Sequence, residues 1–217
     1  MTLAIFDLDD TLIDGDCASL WSCRMAELGW ADGDAFVSRC DEMMRAYGAG
    51  TLSMGDYMAL TLAPLIGRDG GEVGAAVEAF VGDVIVPRMR ADACRAVEAH
   101  RAAGDRLLVI SASGAHLVEP IAARFGIDAV IAIDPELRDG AYTGRTVGVL
   151  PFREGKSVRL DAWLRDAGEA LAGASFYSDS HNDLPLLGRV DRPHAVRPDP
   201  VLERQAREAG WPVLDWR

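Results

Sequence analysis

The chain is predicted to be an α/β protein: a parallel sheet with crossover helices, an all-helical insertion after the first strand, and a small β-hairpin. Three observations carry this prediction. Short apolar runs recur at Leu3 to Phe6, Leu107 to Ile110, Ala129 to Ile133 and Phe176 to Tyr177, with helical patterns between several of them. From about Asp16 to about Arg90 no strand pattern occurs and the apolar spacing is helical. After the third run, Asp139-Gly140 stands between extended segments and predicts a hairpin turn.

The first run ends on Asp7 to Asp9, the second on Ser111 and the fourth on Asp179. Ligands of open α/β sheets bind at the carboxyl ends of the strands, so these residues are expected to converge. In the insertion, Leu20, Trp21, Met25 and Leu28 form one apolar face. Ser53 begins a second helix through Tyr57, Leu60, Leu62 and Leu65, which Gly67 closes. The expected division is a core of residues 1–15 and 91–217 and a helical cap of residues 16–90 lying over the strand ends. A helix from about Ala115 to Phe125 ends at Gly126, and Asp199 caps another with Pro200 first and Gly210 and Pro212 at its end.

At 217 residues and 49% hydrophobic composition the chain fills a substantial core. Its formal net charge of -12 argues against nucleic acid and anionic lipid as partners. No apolar run approaches the roughly 20 residues that span a bilayer, and no basic segment leads into an apolar one at the N-terminus, so a cytoplasmic location is expected. Cys17, Cys23, Cys40 and Cys94 lack paired spacing and are expected as free thiols. His100, His116, His181 and His194 are scattered, and zinc is not expected.

The segment Ile5 to Leu12 sets Asp7, Asp9 and Asp10 at the end of a buried strand, where like charges repel and desolvation is costly. A hard divalent cation with oxygen ligands compensates them, and magnesium also tolerates water and a substrate phosphate in its shell. Plain helix capping is a second role open to Asp10 or Thr11. Ser111-Ala112-Ser113-Gly114 precedes a helix, where N–H groups and a hydroxyl form an anion site; a simple N-cap by Ser111 or Ser113 is the alternative. Lys156 is the only lysine in a chain whose other cations are arginines, which marks a place where a compact ammonium is required.

Asp7, Asp9 and Thr11 make an Asp-x-Asp-x-Thr motif after a hydrophobic strand; Ser111, Lys156 and the cluster Ser178-Asp179-Ser180-His181-Asn182-Asp183 follow in order. The series resembles the haloacid dehalogenase-like superfamily over almost the whole chain, with a Rossmann-like core and the insertion where that family carries its first type of cap. The resemblance implies a magnesium-dependent phosphatase acting on a small phosphate ester through an aspartyl-phosphate. Asp7 would be the nucleophile and Asp9 the general acid and base, a residue that dehalogenating members lack. Asp7, Asp9 through its backbone carbonyl, and Asp179 would hold Mg2+. Asp183, grouped with these metal-site acids, would orient a metal-bound water or Lys156. Asp10, Ser111, Ala112 and Lys156 would bind phosphate.

Within the superfamily, the cap and hairpin resemble the subfamily of phosphoserine phosphatases and a group of histidinol-phosphate phosphatases. By that likeness Asp16 would hold a substrate ammonium. No cationic residue lies between Thr51 and Gly67 to clamp a carboxylate, although Arg24, Arg39, Arg45 or Arg68 offers one from another turn. The preferred substrate is therefore histidinol phosphate ahead of phosphoserine. A phosphotransferase on the same fold shares every one of these residues. A phospho-receiver module is a different class, but it draws its acids from separate strands and has no helical insertion.

Overall fold

In this computed structural model, which describes residues 2–48 and 51–217, β1 (Leu3–Phe6) is buried along its whole length. Its side chains alternate between two cores: Ala4 and Phe6 join one hydrophobic cluster, Leu3 and Ile5 the other. A strand covered on both faces has no polar side, which is why its sequence is a continuous apolar run. It pairs in parallel with β2 (Arg106–Gly114) and β5 (Ser175–Ser178), with Phe6 opposite Val109 on one side and Tyr177 on the other.

The sheet has the order β4-β3-β2-β1-β5-β6-β7. Here β3 is Ala129–Arg138, β4 Ala141–Val147, β6 Arg192–Val196 and β7 Val213–Leu214. Only the β3 and β4 pairing is antiparallel. The turn between them has Asp139 at φ 51° and Gly140 at φ 81°, the two positive values of a type I′ hairpin that Asp-Gly favours. Two differences from expectation concern strands. β2 continues past Ser111 to Gly114, with irregular pairing to β3 between Ile110 and Gly114. β6 and β7 lacked an apolar signal, one because Arg192, Pro193 and His194 open it, the other because it has two residues.

Between β1 and β2 the regular elements are helical: α1 (Cys17–Glu27), α2 (Gly33–Gly48), α3 (Met54–Leu62), α4 (Gly70–Phe80) and α5 (Ala91–Ala102). Side chains of Asp16, Ser53 and Asp69 cap the first turns of α1, α3 and α4. The alternative role of Asp10 or Thr11 as a helix cap is not taken up, because a turn separates them from α1, which Asp16 caps. Leu28 also differs: it lies beyond the last residue of α1 and is 43% exposed, whereas Trp21 and Met25 are buried. Met25, Phe36, Tyr57, Leu62 and Val73 share one apolar cluster with Phe6 and Val109, so these helices pack onto the face of the sheet.

The remaining helices are α6 (Ala115–Arg124), α7 (Glu154–Ala167), the short α8 (Leu184–Leu187) and α9 (Pro200–Ala209), which Asp199 caps and Gly210 ends in the left-handed region. No helix among the described residues is long and apolar enough to cross a membrane. The entry to α7 is tight. Arg153 there has φ 52° and ψ -122°, and a Cβ on Gly155 would stand 2.0 Å from the Leu150 carbonyl oxygen. Backbone cannot retreat as a side-chain tip can. Gly155→Ala is expected to destabilise the protein by about 1–3 kcal/mol, each kcal/mol lowering Tm by about 2–4 °C in a domain of this size. A parent-like thermal melt would show that the loop before α7 adjusts freely.

Candidate active site

Parallel pairing brings the ends of β1, β2 and β5 to one edge, and the acidic residues meet there. The Lys156 ammonium, carried on the first turn of α7, is 2% exposed and donates to Asp7 Oδ1 at 2.8 Å. Both carboxylate oxygens of Asp183 lie 2.8 Å from the same nitrogen. Ser178, the last residue of β5, donates its hydroxyl to Asp183 at 2.7 Å. Asp183 is thus engaged by Lys156 and Ser178, in a 3-10 turn that Ser180 caps through the Asn182 N–H.

Thr11 ties the first and fourth segments together. Its hydroxyl donates to Asp179 Oδ1 at 3.0 Å and accepts from the Asp179 N–H at 3.1 Å. Asp9 faces the other way. Its carboxylate accepts from Ser113 Oγ at 2.7 Å, from Ser111 Oγ at 3.2 Å and from the Cys17 N–H at 2.7 Å. Asp10 has φ 53°; its N–H donates to the Gly15 carbonyl and its carboxylate accepts the Gly15 N–H at 3.1 Å. This reciprocal pair fixes the turn that leads to α1.

A cleft of about 210 Å³ joins these groups. Asp7, Asp9, Asp10, Asp179, Ser111 and Ala112 line its floor, and Asp16, Met44, Met54 and Tyr57 come from the helical insertion. Lys156 and Asp183 stand behind Asp7 and do not line it. Asp16 is also the N-cap of α1, accepting the Ser19 N–H at 2.6 Å, so capping and cleft lining coexist in one side chain. No arginine lines the cleft among the described residues. Arg24 pairs with Glu27 and Asp83, Arg68 pairs with Glu72 over the Trp30 ring, Arg39 borders a separate surface hollow, and Arg45 is exposed.

Neither Ser111 nor Ser113 caps α6, which Gly114 precedes without a side-chain cap, and Ser113 instead joins the cleft. Ser113 is two positions from Ser111 on one strand and so shares its face, a periodicity that would have found it. Tyr57, Met44 and Met54 read as ordinary apolar helix positions. His181 Nδ1 lies 2.7 Å from Asp199 Oδ2, and Asp199 in turn donates its N–H to the Asp179 carbonyl, a pairing that only the tertiary fold reveals.

Charge in this cleft is poorly compensated. Burial raises the Asp7 carboxyl to about 7, against the pull of Lys156 and with repulsion from Asp183 and Asp9 adding to it. Burial likewise pushes Asp179 well above the carboxylate range, helped by Asp7, Asp10 and Asp183, and raises Asp10. Asp16 is raised to about 7 by burial and by Asp9. One ammonium does not offset this set. The donors are all oxygen, as a hard cation requires, and carboxylates that repel one another gain most from it. Among the described residues no three His, Cys, Asp or Glu side chains form a ready cage. Magnesium suits that arrangement, since it commonly takes one or two carboxylates and completes its shell with water and phosphate. Asp7 and Asp179, which both line the cleft, fit such a role.

A family model described as haloacid dehalogenase-like hydrolase matches residues 4–188. The chain belongs to this family. It is 38% identical to a histidinol-phosphatase of Neisseria meningitidis serogroup C (strain 8013), over 99% of each chain. Its fold matches a protein of unknown function from Bordetella pertussis Tohama I with a TM-score of 0.92, at 42% identity over 99% of each chain. A substrate-bound phosphoserine phosphatase aligns with a TM-score of 0.72, at 18% identity over 98% of this chain and 92% of that one, a likeness of fold alone. As a haloacid dehalogenase-like hydrolase, the protein is an enzyme of the phosphoric monoester hydrolase class.

The hydrolase should show the electrostatic conflict as a stability effect. The folded state holds the Asp179 proton more tightly than an unfolded chain does, so ionising Asp179 costs stability as pH rises above the ordinary carboxylate range. Asp179→Asn is expected to raise the Tm of the metal-free protein at pH 8 and to change it little at pH 4. A metal-free variant less stable than the parent at pH 8 would contradict this.

Proposed function

We propose that this hydrolase cleaves a small, amine-bearing phosphate monoester through an aspartyl-phosphate on Asp7, with Mg2+ as cofactor. The observation that carries the reading is the arrangement of Asp7 and Asp9. They leave one strand end toward different partners, Asp7 against the Lys156 ammonium and Asp9 against two serine hydroxyls and the Cys17 N–H. One carboxylate is thereby paired with a cation, while the other is held among neutral donors beside the cleft. That is the asymmetry a nucleophile and a proton carrier need.

In the first step Asp7 attacks phosphorus, the bond from phosphorus to the ester oxygen breaks, and the leaving alkoxide takes the proton of Asp9. In the second, Asp9 removes a proton from water as that water attacks phosphorus, which frees inorganic phosphate and restores the Asp7 carboxylate. Lys156 offsets charge on Asp7 and on the phosphoryl oxygens. Ser111 and the backbone around Ala112 line the phosphate end of the cleft. Bound Mg2+ would neutralise phosphoryl charge and lower repulsion between anionic nucleophile and anionic ester. Residues 16–90 act as the cap.

The substrate preference follows from the other end of the cleft. Asp16 offers a carboxylate to an ammonium, Met44 and Met54 offer apolar flanks, and no arginine is present among the described lining residues to clamp a carboxylate. Histidinol phosphate fits this set better than phosphoserine, and the relative from Neisseria meningitidis bears the name of that activity. Transfer to an acceptor alcohol is distinguished by whether free phosphate accounts for all substrate consumed.

Asp7→Asn is expected to abolish phosphate release, at least about a thousandfold, while the circular dichroism spectrum stays that of the parent. Turnover near the parent rate would remove Asp7 from the role. Steady-state kinetics with Mg2+ should give a higher kcat/KM for histidinol phosphate than for phosphoserine. The reverse order would overturn the preference without touching the phosphatase assignment.

A further inference from the structure

Behind Tyr57 lies a second, smaller chamber of about 10 Å³, bounded by Trp21, Tyr57, Ser113, His116, Leu62 and Leu117 among others. Tyr57 and Ser113 also line the catalytic cleft, so the two spaces share a wall. Three polar atoms on the chamber's residues are buried and find no hydrogen-bond partner among the described residues: Trp21 Nε1, Tyr57 Oη and His116 Nδ1. Trp21 is 2% exposed and Tyr57 4%. An unsatisfied buried polar group costs about 1–3 kcal/mol, so three of them on the residues that bound one small space point to a polar occupant.

Size and charge define what fits. The volume admits about one heavy atom of the size of a water oxygen. No aspartate, glutamate, lysine or arginine bounds the chamber among the described residues, so a charged atom would be uncompensated there. Burial lowers His116 to about 4, which keeps its ring neutral. Trp21 Nε1 only donates, so the entering atom must carry a lone pair; the Tyr57 hydroxyl can give or take a hydrogen bond.

We propose that the chamber is a second recognition point for the leaving alcohol, taking an uncharged lone-pair atom, foremost the ring nitrogen of a neutral heterocycle, while the ammonium of the same molecule meets Asp16. The assignment rests on the phosphatase reading above and adds the residues that choose among amine-bearing esters. Asp16 reads the positive charge common to them. Trp21 and Tyr57 read the heteroatom that separates a heterocyclic amino alcohol from a simple one.

The test compares kcat/KM for histidinol phosphate, O-phosphoethanolamine and p-nitrophenyl phosphate in the parent, Trp21→Phe and Tyr57→Phe. The parent should favour histidinol phosphate over O-phosphoethanolamine. Trp21→Phe should reduce that ratio about tenfold, with most of the change in KM. Trp21 packs edge-on against Trp30 and Phe80; if its variant does not fold, the ratio in Tyr57→Phe, also expected to fall, decides. An equal loss on all three esters would reduce the two residues to packing. Unchanged ratios in both variants, or a parent that treats the two amines alike, would overturn the chamber's role. A parent that releases phosphate from none of the three would instead defeat the phosphatase reading itself.

Discussion

One buried ammonium holds the site together. Lys156 comes from α7, Asp7 from the end of β1 and Asp183 from the turn after β5, and the three meet within 2.8 Å contacts. Removing three ions from water is expensive, and a well-packed apolar trio would serve stability as well or better. Their retention therefore points to chemistry. The arrangement also ties the two central strands to the helix beside them, so a shift at the tight entry to α7 is felt at Asp7. Gly155 is adjacent to Lys156, and Arg153, with its positive φ, donates to Asn182 in the turn that carries Asp183.

Around that ammonium, three of the carboxylates accept from hydroxyls. Asp183 has Ser178, Asp179 has Thr11, and Asp9 has Ser111 and Ser113. In every case donor and acceptor belong to different strand ends or lie within one turn. The bonds thus fix the direction of each acid before any ligand arrives. Preset dipoles and carboxylates need no reorganisation when charge moves, which is the main source of electrostatic catalysis. The cost is visible in Asp7, Asp10, Asp16 and Asp179, all raised by burial. The protein holds a surplus of negative charge in place, and a phosphate ester, itself anionic, enters such a site only with cationic help.

Legibility in the sequence followed the range of the forces involved. β1, the Asp139-Gly140 hairpin and the capped helix α9 depend on local pattern or on a covered strand, and each was readable from neighbouring residues. The split of the apolar positions of β1 between two cores also follows from simple alternation. Polar β6 and two-residue β7 depend on pairing partners far away in the chain, and no local pattern announces them. Ser111 was read as a strand end because polarity usually marks one; the strand instead continues to Gly114, since the hydroxyls of Ser111 and Ser113 find Asp9. The pairing of His181 with Asp199 and the position of Tyr57 between two cavities are likewise tertiary facts.

The strand ends and the helical insertion contribute different kinds of group to the cleft. The sheet supplies acids and small hydroxyls, fixed by bonds of 2.7–3.2 Å to one another. The insertion supplies Met44, Met54 and Tyr57, which bring flexible thioethers and an aromatic ring to the lining. Asp16 stands at the junction: its bond to the Ser19 N–H locks the first turn of α1, and its position in the cleft makes the same carboxylate available to a cation. Met44, Met54 and Tyr57 make no bond to the network of Lys156, Asp7 and Asp183. A substitution at Asp16 alters both the cleft lining and the cap of the helix that bears Trp21. Apolar lining and fixed acids thus come from different parts of the chain, and they meet at the single acid where the insertion joins the sheet.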